Sequence, residues 1–346
     1  MTVVLSAGVR TPVGLTAESS YAASRGGIGR LELHPLWVDK AGAPVRAARD
    51  AMLDPVLPLP ERLTELVSTA LTGAIEPLLE QGGSLEASLY VAMPPDRPGM
   101  SAEIARSALA EAMSRLGDAF KPSRVVPLNH GNAAGLQALG SAHEEIQAGR
   151  TRFAVVLGYD SFLSPRTIEW LDESRLLDSD ENRLGFTPGE GAAALVLSSS
   201  PTARAFSRPP LGTLRGFGLA REPEPIGSDG VCVGMGLTKA IRDATKSLRI
   251  PEEKVAMMYC DINGQRYRNE EFMYVPLRHW APFVDSNLYT TFADIWGDVG
   301  AATGPLLVTQ ALMSAARRAA PGRFALAWAG SVDGTRAATA VELPSN

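Results

Sequence analysis

Two cysteines and four histidines are the side chains of this sequence best able to do covalent or metal chemistry, and their spacing supports neither. Cys232 and Cys260 form no CxxC pair and no disulfide framework. His34, His130, His143 and His279 show no HExxH or other ligand spacing, so no metal and no cofactor is expected. Each cysteine reads as a small buried hydrophobe, Cys232 in a loop before a helix and Cys260 in a strand ahead of an Asp-Ile-Asn-Gly turn. A different concentration of chemistry lies in QRYRNEEFMYVPLRHWAPFVDS, residues 265–286. It mixes Tyr267, Phe272, Tyr274, Trp280 and Phe283 with Arg266, Arg268 and Arg278. Aromatics and arginines together are what protein interfaces favour, which makes Tyr267, Phe272, Tyr274, Arg278 and Trp280 candidate partner-binding residues. An amphipathic lid over a shallow pocket would carry the same pattern.

The elements that position such groups follow from periodicity. Short β-branched runs alternate with longer Ala/Leu/Glu-rich segments, the pattern of an α/β layered fold. Strands are expected at Val3–Ala7, Ser88–Ala92, Arg124–Leu128, Phe153–Leu157 and Ala192–Leu197. Helices are expected at Pro60–Glu80, Ser101–Leu116, Ala134–Ala148 and Pro165–Asp172. Along Ala134–Ala148, Leu136, Leu139, His143 and Ile146 recur at helical spacing and define one face. The stretch SSSPTARAFSRPP, residues 198–210, reads as a connector. The pattern then starts again: strand Gly212–Gly218, helix Gly234–Leu248, strand Val255–Asp261, helix Gly304–Ala319, and strands Phe324–Ala329 and Ala337–Glu342. Two units of similar order, 1–200 and 201–346, point to an internal duplication.

Composition limits the partners. A chain of 346 residues, 45% of them hydrophobic, can bury a large core. Its net charge of −5 gives no reason to expect nucleic acid, whose binders carry basic patches. The opening MTVVLSAGVRTPVG lacks the basic stretch and long apolar segment of a signal peptide. No run approaches the roughly 18 apolar residues that span a bilayer. A cytoplasmic, globular protein with no membrane contact is expected.

A series of strings, taken in order, resembles the β-ketoacyl synthase branch of the thiolase superfamily. VVLSAGVRTPVGLT with SRGGIG is similar to that family's first strand, Thr-Pro-x-Gly turn and Gly-Ile loop. NHGNAAGLQALGSAHEEIQAGRTRFAVVLGYD resembles its nucleophile elbow, buried helix and following strand, and RLGFTPGEGAAALVL its Gly-Phe-x-x-Gly-Glu-Gly-Ala signature. CDINGQRYRNEE and WGDVGAATGPLLVTQAL fall where the family places two catalytic histidines, and AGSVDGTRAATAVEL where it places its last Gly-rich turn and strand. The resemblance spans nearly the whole chain. It implies the thiolase fold, a five-layer αβαβα arrangement made of two duplicated halves. It also implies a two-fold dimer in which the strand entering the elbow, here Arg124–Leu128, pairs with its mate.

Carried over residue by residue, the resemblance implies a degenerate site. The family's cysteine nucleophile sits at a helix N-terminus, where the macrodipole favours a thiolate. Asn132 takes that place, and a neutral amide is no acyl carrier. Asn263 takes the place of the first histidine, where it could donate one hydrogen bond to an oxyanion, and Asp298 takes that of the second. An ionised Asp298 about 4 Å from a developing enolate would repel it by about 4 kcal/mol, roughly a thousandfold in rate. Ala293 stands where the family has a lysine. Of the pocket residues the resemblance brings in, Phe186 matches a gatekeeper and could equally be core. Glu190 is expected to brace loops. His130 is either a displaced base or the partner of a buried backbone group.

The implied function is that of a non-catalytic thiolase-fold protein, a homodimer or a heterodimer with another thiolase-fold chain, that engages a protein partner. One version pairs with an active synthase, as chain-length-factor subunits do. Another resembles accessory proteins encoded with type VI secretion effectors, in an effector-loading or adaptor role. The rival is an acyltransferase or hydrolase using His130, Asp298 or Glu190.

Overall fold

The computed structural model describes residues 1–79, 83–204 and 209–344. The strands are β1 (Thr2–Arg10), β2 (Leu31–Val38), β3 (Pro44–Ala48), β4 (Leu85–Ala92), β5 (Phe120–Leu128) and β6 (Phe153–Ser161). They continue with β7 (Glu190–Ser199), β8 (Gly212–Arg221), β9 (Val255–Cys260), β10 (Thr290–Thr291), β11 (Phe324–Gly330) and β12 (Thr335–Glu342). The helices are α1 (Ala17–Arg25), α2 (Leu59–Ile75), α3 (Ala102–Leu116), α4 (Ala134–Gln147) and α5 (Pro165–Glu173). They are followed by α6 (Ser200–Ala203), α7 (Met235–Thr245), α8 (Arg266–Arg278), α9 (Ala293–Trp296) and α10 (Thr303–Ala316). The expected helix Pro60–Glu80 stops early: the α-helix ends at Ile75 and tightens into a 3₁₀ turn, Glu76–Leu78, at Pro77, which has no N–H to give the ladder. Its last residue, Glu80, and residues 205–208 of the expected connector lie outside the described residues.

Ten strands form one sheet in the order β10-β9-β11-β12-β8-β1-β7-β6-β4-β5. Outward from the β8–β1 junction, both sides repeat one pattern. On one side β1 is antiparallel to β7, β7 antiparallel to β6, β6 parallel to β4, and β4 parallel to β5. On the other β8 is antiparallel to β12, β12 antiparallel to β11, β11 parallel to β9, and β9 parallel to β10. Strands β2 and β3 form a separate hairpin.

Three apolar cores separate the layers. Leu63, Leu66, Val67 and Leu71 of α2 pack on Leu89, Val91, Val155 and Leu157 of one outer sheet face. Leu136 and Leu139 of α4 and Leu306 and Leu307 of α10 fill the space between the two half-sheets. Leu237 and Ile241 of α7 cover Met258, Leu326 and Trp328 on the far face. The result is the expected αβαβα stack. Because α10 lies in the middle layer it is buried on all sides, and it is apolar nearly all round. The central helices approach closely: a Cβ on Gly135 would lie 2.2 Å from Pro305, and one on Gly304 2.5 Å from the Leu136 nitrogen. Each is entered through a single 3₁₀ turn, Gly131–Ala133 before α4 and Gly300–Ala302 before α10. Both turns open on a glycine with positive φ, +71° at Gly131 and +49° at Gly300. These paired elbows aim the site residues at one point. Among the described residues no helix is long and apolar enough to cross a membrane.

Candidate functional site

Asn132, Asn263 and Asp298 come from three separate segments and meet. The Asn132 amide donates from Nδ2 to Asp298 Oδ1 at 3.0 Å, and Asn263 donates from Nδ2 to Asp298 Oδ2 at 2.6 Å. The backbone N–H of Gly300 donates to Asp298 Oδ1 at 2.8 Å. Asp298 therefore caps the turn that opens α10, at the positive end of that helix, and accepts two side-chain amides besides. Asp160 assists, accepting from Ala301 N at 3.2 Å while it is paired with Arg97 at 2.5 Å. The second hydrogen of the Asn263 amide goes to Gln265 Oε1 at 3.2 Å. The sequence left Asn263 free to donate to an oxyanion; both of its N–H bonds are in fact committed, because Asp298 and Gln265 take them. All three residues are buried. The knot engages both oxygens of Asp298 and both N–H groups of Asn263, with no imidazole and no thiol among its members.

Neither cysteine compensates. Cys260 lines a void of about 20 Å³ behind the knot, room for one water. Its thiol faces the Thr290 carbonyl at 3.7 Å, and burial drives its pKa upward, away from a thiolate. Cys232 is half-buried beside Glu222 and Glu271, and burial followed by those carboxylates raises its pKa too. Those carboxylates are already engaged: Glu222 accepts from the backbone N–H groups of Met235 and Gly236, and Glu271 pairs with Arg336 at 2.6 Å.

In front of the knot lies a cleft of about 640 Å³ that reaches Asn132 and Asp298, a size typical of small-molecule sites. Its walls are mostly apolar, with Phe162, Trp170, Leu176, Phe186 and Ile226 among them. Phe186 is both wall and core, buried and edge-on to Phe162 with centroids 5.3 Å apart. His130 sits at the mouth and pairs through Nδ1 with Asp333 at 2.9 Å. It satisfies no buried backbone group, because its side chain is exposed. Glu190 is fully buried away from the cleft, bound to Arg62 at 2.8 Å, Asp50 N at 2.9 Å and Ser161 Oγ at 3.1 Å. Burial, the largest influence, raises its pKa against the pull of Arg62. It is a brace between β7, α2 and the loop after β3.

Sequence reasoning missed Arg97, Asp160, Asp261 and Arg268 as site neighbours. Arg97 and Arg268 line the cleft, and each is paired with one of these aspartates. The available signal was a lone aspartate closing each of two apolar strands, YD at 159–160 and CD at 260–261. The segment 265–286 folds as α8 and the loop after it. Phe272 does not face a partner: it is buried, stacked on Trp328 at 5.1 Å and edge-on to Tyr289. Tyr267 is half-buried with its hydroxyl enclosed and Arg268 over its ring. Tyr274, Arg278 and Trp280 do reach the surface, Arg278 lying 5.1 Å over the Tyr274 ring and Trp280 64% exposed. Helix periodicity makes this split, since Arg268, Glu271, Phe272 and Val275 share the inward face.

Comparison with known proteins agrees with this fold. Residues 126–203, which hold β5's end, the elbow, α4, β6 and β7, match the family described as "Beta-ketoacyl synthase, N-terminal domain". A ketosynthase/chain length factor structure, that of ishigamide, covers 99% of this chain and 99% of its own at 17% identity with a TM-score of 0.78. The chain has the thiolase fold of the β-ketoacyl synthases. A type II polyketide synthase structure, titled as an acyl-carrier protein in complex with its ketosynthase bound to the hexaketide, superposes with a TM-score of 0.80. It is 16% identical and covers 99% of both chains. In sequence, "Actinorhodin polyketide putative beta-ketoacyl synthase 2" of Streptomyces coelicolor is 36% identical over 144 residues. That match takes in 38% of this chain and 34% of the Streptomyces protein, so it spans about a third of the relative's length.

Proposed function

We propose that this ketosynthase-like chain is a non-condensing, cytoplasmic binding protein that works as a paired subunit, its two halves dividing near residue 200. The observation that carries the reading is the knot itself. Asn263 spends both N–H groups on Asp298 and Gln265, and Asn132 spends one of its two on Asp298, so the place of an oxyanion hole is occupied by a carboxylate. The cleft in front of it still has the volume and apolar walls to hold a small ligand without turning it over.

Two features favour partnership. The strand β5 closes one end of the sheet, pairs with β4 alone among the described residues, and exposes Lys121, Arg124 and Val125 along its nine residues. An open edge of this length invites a second strand. The helix α8 exposes Met273, Leu277 and, just beyond it, Trp280 and Val284, a stripe suited to a protein partner. Likeness to the ishigamide ketosynthase/chain length factor favours pairing with a synthase over loading of a type VI secretion effector. The acyltransferase or hydrolase alternative gains little from His130, which pairs with Asp333 and hydrogen-bonds to no hydroxyl among the described residues.

The decisive experiment supplies a malonyl thioester to the purified protein. Carbon dioxide release is expected at background, and Asn132→Cys alone is expected to leave it there because Asn263 and Asp298 are unchanged. Release at synthase-like rates from either protein defeats the reading. Light scattering at micromolar concentration is expected to give a dimer; a monomeric mass counts against the β5 edge.

A further inference from the structure

A second cavity of about 380 Å³ lies on the opposite side of the site, between α1, β9 and α10. Phe292 separates it from the small void behind the knot, since that ring lines both spaces. The ring is held from both sides, stacked on Tyr259 at 5.6 Å and on Trp296 at 4.7 Å. The cavity is therefore a separate chamber and not the end of the front cleft.

Its lining has a definite polarity. Arg25 is the charged side chain on its wall among the described residues; no aspartate or glutamate lines it. Among the described residues Arg25 makes no ion pair on that wall. Burial, the largest influence, raises the pKa of Tyr21 and of Tyr259, the latter to about 12; Arg25 opposes the rise at Tyr21, and Ser314, through a hydrogen bond, and then Arg25 oppose it at Tyr259. The exposed guanidinium of Arg25 and the two phenols, Tyr21 and Tyr259, line the same cavity. Met257, Leu288 and Phe292 supply apolar surface. Gln310, 1% exposed, also lines the cavity, and neither its Oε1 nor its Nε2 has a partner. Unpaired buried amides are rare in folded proteins, and a polar chamber of this size is filled by solvent or by a ligand instead of standing dry.

We propose that this chamber binds a small amphipathic carboxylate, its head held by Arg25, Tyr21 and Tyr259 and its apolar body against Met257, Leu288 and Phe292. A guanidinium with two phenol hydroxyls suits a carboxylate through charge-assisted hydrogen bonds. A cationic amphiphile would meet Arg25 as a like charge. The site is independent of the front cleft, so its failure would leave the reading of the knot untouched.

Octanoate, octanol and octylamine share one tail and differ in the head, which makes them suitable probes by calorimetry on the full chain. Octanoate is expected to bind at least about tenfold tighter than the other two, and Arg25→Gln to remove that preference. Ser24→Trp and Leu288→Trp, on two separate segments of the wall, are expected to block octanoate while melting temperature holds. Ile226→Trp, which fills the front cleft, is expected to leave octanoate binding unchanged. The proposal is overturned if octanoate binds no better than octylamine, if Arg25→Gln binds it equally well, or if Ile226→Trp abolishes binding while Ser24→Trp and Leu288→Trp keep it.

Discussion

The helices α3 and α8 hold matching places in the two halves, each crossing from the fourth sheet position to the edge strand, and they are built in opposite senses. Helix α3 buries Ala105, Ala108, Leu109 and Ala112 and exposes Glu103, Arg106, Glu111 and Arg115. That is the ordinary amphipathic arrangement. Helix α8 buries Arg268 and Glu271 beside Phe272 and Val275, and exposes Met273 and Leu277. Burying a charge is costly unless a partner accompanies it, and here Asp261 holds Arg268 while Arg336 holds Glu271 through two hydrogen bonds. The difference teaches that α8 is fixed to the sheet by ion pairs, which frees its apolar side chains to face outward.

The largest expected effect tests the inward face. Glu271→Ala leaves Arg336, 1% exposed, without its carboxylate. Removing one partner of a buried pair typically costs about 3–5 kcal/mol. Glu111→Ala on the exposed face of α3 is expected to cost under about 0.5 kcal/mol. Urea unfolding measures both. A Glu271→Ala protein within about 1 kcal/mol of the wild type would remove the contrast between the helices.

A smaller effect on stability, and a large one on recognition, is expected on the outward face. Leu277→Ser with Trp280→Ala should change the unfolding free energy little, since both side chains are exposed, while each lost anchor weakens partner capture by about 2 kcal/mol or more if it is a hot spot. Phe272→Ala, by contrast, opens a cavity beside Trp328 and is expected to cost about 3–5 kcal/mol. Pull-down and thermal melts on the same proteins separate these cases. A stable double variant that still captures its partner eliminates α8 as the recognition surface.

The layered fold was legible because its strands and central helices carry their burial in their composition. FAVVLG, the first six residues of β6, reads as apolar throughout because the strand is buried on both faces. The convergence of Asn132, Asn263 and Asp298 was also within reach, although only through the resemblance, as no spacing links three residues on separate turns. What the sequence hid was which member of each polar pair turned inward. Arg268 and Arg266 look alike in QRYRNEE, yet one is buried on Asp261 and the other is exposed with Glu270 at 2.6 Å. The hairpin of β2 and β3 was missed for a related reason: its burial pattern, exposed at Leu33, Leu36 and Val38, carries no clean alternation.

That hairpin supplies the smallest and most selective test, because it buries a neutral ring where α8 buries charges. His34 is buried and stacked on Trp37 at 3.8 Å, and its Nδ1 accepts from the backbone N–H groups of Leu36 and Trp37 at 3.3 and 3.2 Å. Burial first, then the charges of Arg49 and Arg62, lowers its pKa to about 4. The unfolded chain takes up this proton near the ordinary value of about 6.5, and the folded chain resists it until about 4. His34 therefore contributes stability above about pH 6.5 that is lost progressively as pH falls toward 4, with no further loss below. Burial raises Glu190, Asp261 and Glu271, which work in the other direction, so the wild-type curve alone mixes both signs. The quantity to measure is the wild-type midpoint minus that of His34→Gln, in urea, at about pH 7 and about pH 5. The difference is expected to shrink on acidification, because the unfolded wild type takes up a proton that the folded hairpin resists, and the variant has no such proton to gain. A difference that stays constant or grows would mean that the folded hairpin takes up the proton at least as readily as the unfolded chain, and so buries a charged ring at about pH 5.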